Sequence, residues 1–149
     1  MMLERTCDLW DMSITADARC ITTNGSVRKD GLLVMGRGVA AQAALKVPFL
    51  QEFLGWNVAN LGSRCYPCYS SDLGCWIVSF PVKHQWFEKA DLELIKVSCQ
   101  QLMDLCTWFS WRTVLLPRPG CGNGGLHWDA VERVISPLLD SRIIVISKL

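Results

Sequence analysis

The sequence lacks the features that mark a membrane-spanning, secreted or strongly charged chain. Its 149 residues contain no apolar run near the roughly twenty that cross a membrane, and the opening Met-Met-Leu-Glu-Arg contains no apolar signal-peptide core. The formal net charge is only +1, so nothing favours broad electrostatic capture of nucleic acid. We therefore expect a cytoplasmic protein with no membrane partner.

Internal repeats, low-complexity segments and linkers are also absent from the sequence. Half of the residues are hydrophobic and 19% are charged, which is typical of a globular chain with a substantial core. We expect one domain over residues 1–149, with a monomer as the default state of assembly.

Metal-ligand patterns are sparse. The chain has eight cysteines, but in a reducing compartment an even number does not imply disulfides. Most stand in apolar stretches, where small buried side chains are expected. Cys65, Cys68 and Cys75 have the one metal-like spacing, and no second pair completes four ligands. We expect no metal and no cofactor, with a small zinc module as the alternative.

Glycine, in contrast, is concentrated in one loop. Four of the eleven glycines fall within residues 120–125, after the apolar run at 114–116 and before an amphipathic segment that starts near Trp128. Glycines between a strand and a helix let the backbone approach a ligand closely, and a helix N-terminus favours an anion. The spacing matches neither a P-loop nor the dinucleotide fingerprint G-x-G-x-x-G. A flexible surface turn is the alternative interpretation of the glycine content.

A second glycine loop, at residues 36–38, leads into an alanine-rich run that predicts a helix ending at Pro48. Further helices are expected over 49–62, from Asp91 through Cys106, and from Trp128 through Leu138. Strands are expected within 1–10 and at 19–23, 64–69, 75–80, 114–116 and 142–147. This alternation predicts a largely parallel sheet with helices on both faces, and ligands of such folds bind at the carboxyl ends of the strands.

Four segments of the chain carry a family resemblance. They read Cys-Ile-Thr-Thr-Asn-Gly at 20–25, Val-Met-Gly-Arg-Gly-Val-Ala at 34–40, Phe-Pro-Val-Lys-His at 80–84, and Leu-Pro-Arg-Pro-Gly-Cys-Gly-Asn-Gly-Gly-Leu at 116–126. Their order and spacing resemble the macrodomain family over nearly the whole chain. The similarity is to compact phage and bacterial members, related to the human terminal ADP-ribose glycohydrolase and to antitoxins that remove ADP-ribose from DNA. It implies a three-layer α/β/α fold with a mixed, mostly parallel central sheet and an ADP-ribose cleft.

The resemblance also implies roles for individual residues. Asp8 would accept a hydrogen bond from the adenine amino group, Asn24 would meet the distal ribose, and Lys83 falls on the lysine that acts at the anomeric carbon. The implied ADP-ribose site comprises Asp8, Leu9, Thr23, Asn24, Met35, Gly36, Arg37, Gly38, Val39, Pro119, Gly120, Cys121, Gly122, Asn123, Gly124, Gly125 and Leu126. ADP-ribose is then the ligand or product, and an ADP-ribosylated protein, nucleic acid or metabolite is the expected partner.

One position departs from the human glycohydrolase. Its second loop carries a catalytic aspartate, and the matching residue here is Gly124. A mechanism that uses both a lysine and this aspartate therefore cannot be assigned to this chain. The antitoxin-like members, whose second loop is also rich in glycine, are the better comparison.

The leading functional hypothesis is an ADP-ribosyl hydrolase with Lys83 as its catalytic residue. A partly buried amine can attack the anomeric carbon or relay a proton, but Lys83 can also pair with a diphosphate or be an ordinary surface lysine. A non-catalytic ADP-ribose reader and an ADP-ribose 1″-phosphate phosphatase are the alternatives.

Several residues near these loops have two interpretations. His84 is either an acid or a packing residue, and His127 is interpreted as structural or capping. Trp86 and Phe87 are interpreted as core residues, with stacking on a base as the alternative. Arg118 either approaches a phosphate or braces its loop. Acceptor selectivity is expected at residues 28–30 and 85–89.

Overall fold

The structure is a computed structural model that describes residues 1–148. Its six strands are β1 (Leu3–Thr6), β2 (Ala18–Thr23), β3 (Pro67–Ser70), β4 (Cys75–Pro81), β5 (Val114–Pro117) and β6 (Ile143–Ser147). Its helices are α1 (Gly38–Lys46), α2 (Leu50–Leu61), α3 (Leu92–Phe109) and α4 (Trp128–Ile135), and a short 3-10 turn follows α4 at Ser136–Leu138. Each predicted element is present, with bounds shifted by a few residues.

The strands form one sheet in the order β1-β6-β5-β2-β4-β3. Every neighbouring pair is parallel except β3 and β4, which form an antiparallel hairpin. One buried cluster packs α1 and α2 against one sheet face, and a second packs α3 and α4 against the other. The predicted three-layer α/β/α fold with a mostly parallel sheet is therefore confirmed.

Local sequence explains where the helices begin and end. The Asp91 carboxylate caps α3 by accepting a hydrogen bond from the Glu93 N–H at 2.9 Å. Gly62 ends α2 with a positive φ of 86°, which glycine adopts without strain. The buried side of α2 is formed by Leu50, Leu54 and Gly55, whereas the aromatic side chains of Phe53 and Trp56 are 37% and 61% exposed.

The cysteines are distributed as expected of small apolar side chains. Cys20, Cys65, Cys75, Cys99 and Cys106 are buried, and all eight thiols are free. Burial raises the pKa of Cys99 to about 12 and that of Cys106 to about 11, so both stay protonated at neutral pH.

A fully buried arginine fixes the loop between β1 and β2. The Arg19 guanidinium donates to the carbonyl oxygens of Leu9 at 2.9 Å, Ile14 at 2.6 Å and Asp11 at 3.2 Å, and to the Cys75 sulfur at 3.3 Å. These are backbone and thiol acceptors rather than carboxylates, so the arginine stabilises the loop by saturating its carbonyls. Arg19 thereby positions the segment that carries Asp8 and Leu9.

We predict that Arg19→Ala lowers the free energy of unfolding by about 3 kcal/mol or more, because two buried carbonyls and one partly buried carbonyl lose their donor and a cavity is left. Chemical denaturation of the variant and of the exposed-site control Arg112→Ala measures this difference. A loss for Arg19→Ala no larger than that for the control contradicts the assigned role.

Candidate functional site

The carboxyl ends of three adjacent strands, β5, β2 and β4, open into one cleft of about 410 Å³. Because these strands are parallel and hydrogen-bonded side by side, the residues that follow them meet at the same edge of the sheet. The cleft is lined by Thr22, Thr23, Asn24, Val34, Met35, Gly36, Arg37, Gly38, Val39, Ala40, Val82, Lys83, Trp86, Pro117, Arg118, Gly120, Gly122, Asn123 and Gly124. Four segments distant in sequence therefore form one site.

The first wall of the cleft is the loop that leads into α1. Arg37 precedes the helix in extended conformation, and its side chain makes no capping hydrogen bond. Gly38, Val39 and Ala40, the first residues of α1, line the cleft. A helix N-terminus carries N–H groups without intrahelical partners and a partial positive charge, so this end of α1 is suited to an anion.

The opposite wall is the second glycine loop, which folds back on itself. The Leu126 N–H donates to the Gly120 carbonyl at 2.9 Å, and the Gly125 N–H donates to the Gly122 carbonyl at 3.1 Å. Gly120 has a φ of 77°, a region that favours glycine. The walls approach each other where Asn123 Nδ2 lies 3.7 Å from the Cβ position at Gly38.

Gly124 lies at the tightest point of this loop. A Cβ at this position would lie 2.5 Å from the Gly120 carbonyl oxygen and 2.8 Å from the Ala90 Cβ. The Gly124 carbonyl also accepts from the Ala90 N–H at 3.0 Å, which holds the loop against the segment before α3. This backbone leaves no room for an aspartate side chain at position 124.

The charges that line the cleft have one sign. Among the described residues, the cleft lining includes Arg37, Lys83 and Arg118 and no carboxylate. The Arg118 guanidinium lies 4.7 Å from the centroid of the Trp128 ring, a cation-π arrangement that orients it. Both interpretations of Arg118 therefore agree with the structure, because it braces its loop and faces the cleft.

Lys83 follows β4 and is half-buried in the cleft wall. Its Nζ lies 3.4 Å from the Trp86 carbonyl oxygen. The neighbouring His84 points to α3 instead, where its Nε2 lies 2.7 Å from Asp91 Oδ2. This hydrogen bond is the main cause of a lowered pKa of the Asp91 carboxyl, which the α3 backbone N–H lowers further. His84 therefore links the loop after β4 to the N-terminus of α3, and its role as an acid or a packing residue stays a prediction.

Asn24 follows β2, and hydrogen bonds fix its side-chain amide. Its Nδ2 donates to the Val34 carbonyl at 3.0 Å, and its Oδ1 accepts from the Ser26 N–H at 2.9 Å. One N–H and one lone pair of the amide remain for a ligand. Asn24 thus ties the end of β2 to the first glycine loop while facing the cleft.

The structure gathers most of the residues named from the sequence into this cleft. The residues named from the sequence that line the cleft are Thr23, Asn24, Met35, Gly36, Arg37, Gly38, Val39, Lys83, Gly120, Gly122, Asn123 and Gly124. Outside the lining are Asp8, Leu9, Pro119, Cys121, Gly125 and Leu126. Of these, Leu9 is buried in the same apolar cluster as Met35 and Ala40, so the Asp8 loop adjoins the cleft.

Sequence reasoning missed some of the lining. Thr22, Val34, Ala40, Val82 and Pro117 line the cleft but were not assigned to it. Four of them directly adjoin an assigned residue and Pro117 lies two residues before one, so adjacency was the signal available. His127 directly precedes α4 at the capping position, but its side chain makes no capping hydrogen bond.

The zinc alternative was based on Cys65, Cys68 and Cys75. The Cys65 thiol donates to the Ser98 carbonyl at 3.4 Å, and the Cys75 sulfur accepts from Arg19. Within residues 1–148, no three or more histidine, cysteine or acidic side chains are grouped so as to hold a metal ion.

Comparison with known proteins adds sequence and fold relatives. No protein-family model matches the chain. A Thermus aquaticus protein named DNA ADP-ribosyl glycohydrolase is 27% identical over 122 residues, which cover 72% of this chain and 31% of that protein. The chain thus spans less than a third of that curated relative.

Solved structures match the whole fold. The macrodomain of Mycobacterium tuberculosis DarG superposes with a TM-score of 0.81 at 23% identity, covering 98% of this chain and 97% of that one. The macrodomain of Thermus aquaticus DarG superposes with a TM-score of 0.80 at 23% identity, covering 100% of this chain and 99% of that one. Thermosipho africanus DarTG in complex with ADP-ribose superposes with a TM-score of 0.72 at 18% identity, covering 93% of this chain and 39% of that one. The chain therefore has the macrodomain fold, as the sequence resemblance implied.

We predict that Gly124→Ala lowers the free energy of unfolding by about 1–3 kcal/mol, because the added Cβ overlaps the Gly120 carbonyl. Gly122→Ala is the matched control, since a Cβ there meets no atom within 4 Å, and it is expected to change stability by about 0.5 kcal/mol or less. Chemical denaturation of both variants makes the comparison. Equal stability of the two variants shows that the loop relaxes and that the clash does not exclude a side chain.

Proposed function

We propose that the chain is an ADP-ribosyl hydrolase, which binds ADP-ribose in the cleft and releases it from a modified macromolecule. The observation that carries this proposal is the convergence of three cations and two glycine loops in one cleft whose described lining includes no carboxylate. A diphosphate is the ligand that best complements such a lining, because its charge is negative and its oxygens accept backbone hydrogen bonds.

In the proposed mode, the diphosphate lies between the two glycine loops at the N-terminus of α1. The adenine lies towards the loop that carries Asp8 and Leu9, which adjoins the cleft through the shared apolar cluster. The distal ribose lies towards Asn24 and Lys83, at the ends of β2 and β4. This orientation directs the anomeric carbon to the one lysine of the lining.

The chemistry then depends on Lys83. Hydrolysis breaks the bond between the anomeric carbon and the acceptor, and water supplies the new hydroxyl and the proton that the acceptor takes. Lys83 Nζ serves either as the nucleophile that first displaces the acceptor or as the group that relays this proton. The loop opposite cannot supply a carboxylate at position 124, so neither route uses one from there.

The named relatives support the same ligand and favour one acceptor. The Thermosipho structure is described as a complex with ADP-ribose, and the Thermus relative is named for action on DNA-linked ADP-ribose. We therefore propose ADP-ribosylated DNA as the first substrate to assay, ahead of ADP-ribosylated proteins and metabolites.

We further propose that the protein acts as a monomer in the cytoplasm. All eight of its cysteines are free, which suits a reducing compartment. None of the helices in residues 1–148 combines the length and apolar character that a membrane crossing needs.

We predict that Lys83→Ala lowers kcat for release of ADP-ribose from DNA by about 10²- to 10⁴-fold, because the nucleophile or proton relay is lost. The affinity for free ADP-ribose, measured by calorimetry, is expected to stay within about tenfold, since the two loops remain. Lys96→Ala on the outer face of α3 is the control and keeps full activity.

Two results contradict the proposal. In the first, the wild-type protein binds ADP-ribose but releases it from DNA, from a glutamate ester and from the 1″-phosphate no faster than buffer does. The protein is then a reader. Phosphate release from ADP-ribose 1″-phosphate alone identifies a phosphatase instead.

A further inference from the structure

Two aromatic side chains beside the cleft are exposed. Trp86 lines the cleft and is 53% exposed, and the adjacent Phe87 is 69% exposed. Their rings meet edge to face, with centroids 5.6 Å apart and an interplanar angle of 88°. The expectation that both are core residues is therefore wrong. Single exposed aromatic side chains are common, but a pair beside a ligand cleft calls for a functional explanation.

The backbone that carries these rings is fixed by hydrogen bonds on several sides. The Trp86 N–H donates to Ser26 Oγ at 3.0 Å, and Ser26 Oγ donates in turn to Gln85 Oε1 at 2.7 Å. The His84 carbonyl accepts from the Gly25 N–H at 3.1 Å, and the Gln85 carbonyl accepts from the Glu88 N–H at 3.1 Å. The rings thus stand on a preorganised turn, which lowers the entropic cost of binding against them.

The same turn adjoins the reacting position of the proposed function. The Trp86 carbonyl lies 3.4 Å from Lys83 Nζ, and Trp86 and Lys83 line the same cleft. Further along the turn, Lys89 lies over the second glycine loop, with its Cε 3.8 Å from the Cβ position at Gly125. An aromatic face and a cation flank this side of the site.

We infer that Trp86 and Phe87 form a platform on which the nucleobase acceptor of ADP-ribosylated DNA stacks, so that the base is presented to Lys83. A base is free to stack on a side-chain ring when it is unpaired, so the substrate is single-stranded at that position. This inference rests on the proposed function and adds the residues that select the acceptor. A base has a flat π-face that stacks on either ring, and its strand has phosphates that suit Lys89. A glutamate ester has no flat π-face and no strand phosphates, so it can neither stack on the platform nor pair with Lys89 in this way.

The test compares three probes: free ADP-ribose, a single-stranded oligodeoxynucleotide with ADP-ribose on one base, and a peptide with ADP-ribose on a glutamate ester. Phe87→Ala is the main variant because Phe87 lies outside the cleft lining. Trp86→Phe keeps an aromatic face, and Trp108→Ala removes an 82% exposed tryptophan on α3 as the control.

We expect Phe87→Ala to lower kcat/KM for the oligonucleotide about tenfold or more, chiefly through KM, which corresponds to about 1.4 kcal/mol of stacking. Its kcat/KM for the peptide and its Kd for free ADP-ribose stay within about twofold of wild type. Trp86→Phe retains most of the oligonucleotide activity, and Trp108→Ala retains all of it.

Each remaining outcome has a separate meaning. An equal loss on all three probes, or no loss on the oligonucleotide, overturns the platform. If wild type binds the modified oligonucleotide without cleaving it and Phe87→Ala weakens that binding tenfold, the hydrolase proposal fails while the platform stands. If wild type binds none of the probes, both fail.

Discussion

The close approach of Gly124 to the Gly120 carbonyl is the constraint on which the site depends. At 2.5 Å from that oxygen, a Cβ at position 124 has no place, and the Ala90 backbone holds the loop in this shape from the other side. The loop therefore presents backbone rather than a carboxylate to the cleft. Lys83, which follows the end of β4, is therefore the residue that we propose to act at the distal ribose.

The parallel sheet supplies the second half of this arrangement. The strand order places β2 between β5 and β4, so Arg118, Asn24 and Lys83 emerge side by side from three neighbouring strand ends. The described lining of the cleft contains three cationic side chains, Arg37, Lys83 and Arg118, and no carboxylate that would neutralise them. The cleft is therefore positively charged and complementary to a polyanion. A chain with a net charge of only +1 thus gathers its positive charge locally.

The sequence predicted the fold and most of the cleft because their signals are local. Glycine clusters, a helix cap at Asp91 and the periodic apolar face of α3 are visible in short windows, and the order of four motifs carried the resemblance that implied the fold. Burial was harder to predict, because side-chain chemistry alone does not say which apolar residues lie inside. Trp86 and Phe87 are exposed against expectation, whereas Arg19 is fully buried. The carbonyls that surround Arg19 belong to the loop just before β2, five to ten residues away. Because these acceptors are backbone groups, which every residue type carries, no side-chain pattern in that stretch of sequence indicates the contact.

The central claim is that one cleft orients ADP-ribose with its distal ribose at Lys83. A crystal structure of the protein with bound ADP-ribose tests it most directly, through the distance from Lys83 Nζ to the anomeric carbon. The account predicts the diphosphate between the two glycine loops and the anomeric carbon within about 4 Å of Nζ, the reach of a near-attack geometry. ADP-ribose bound with its distal ribose turned away from Lys83, or bound outside this cleft, contradicts it.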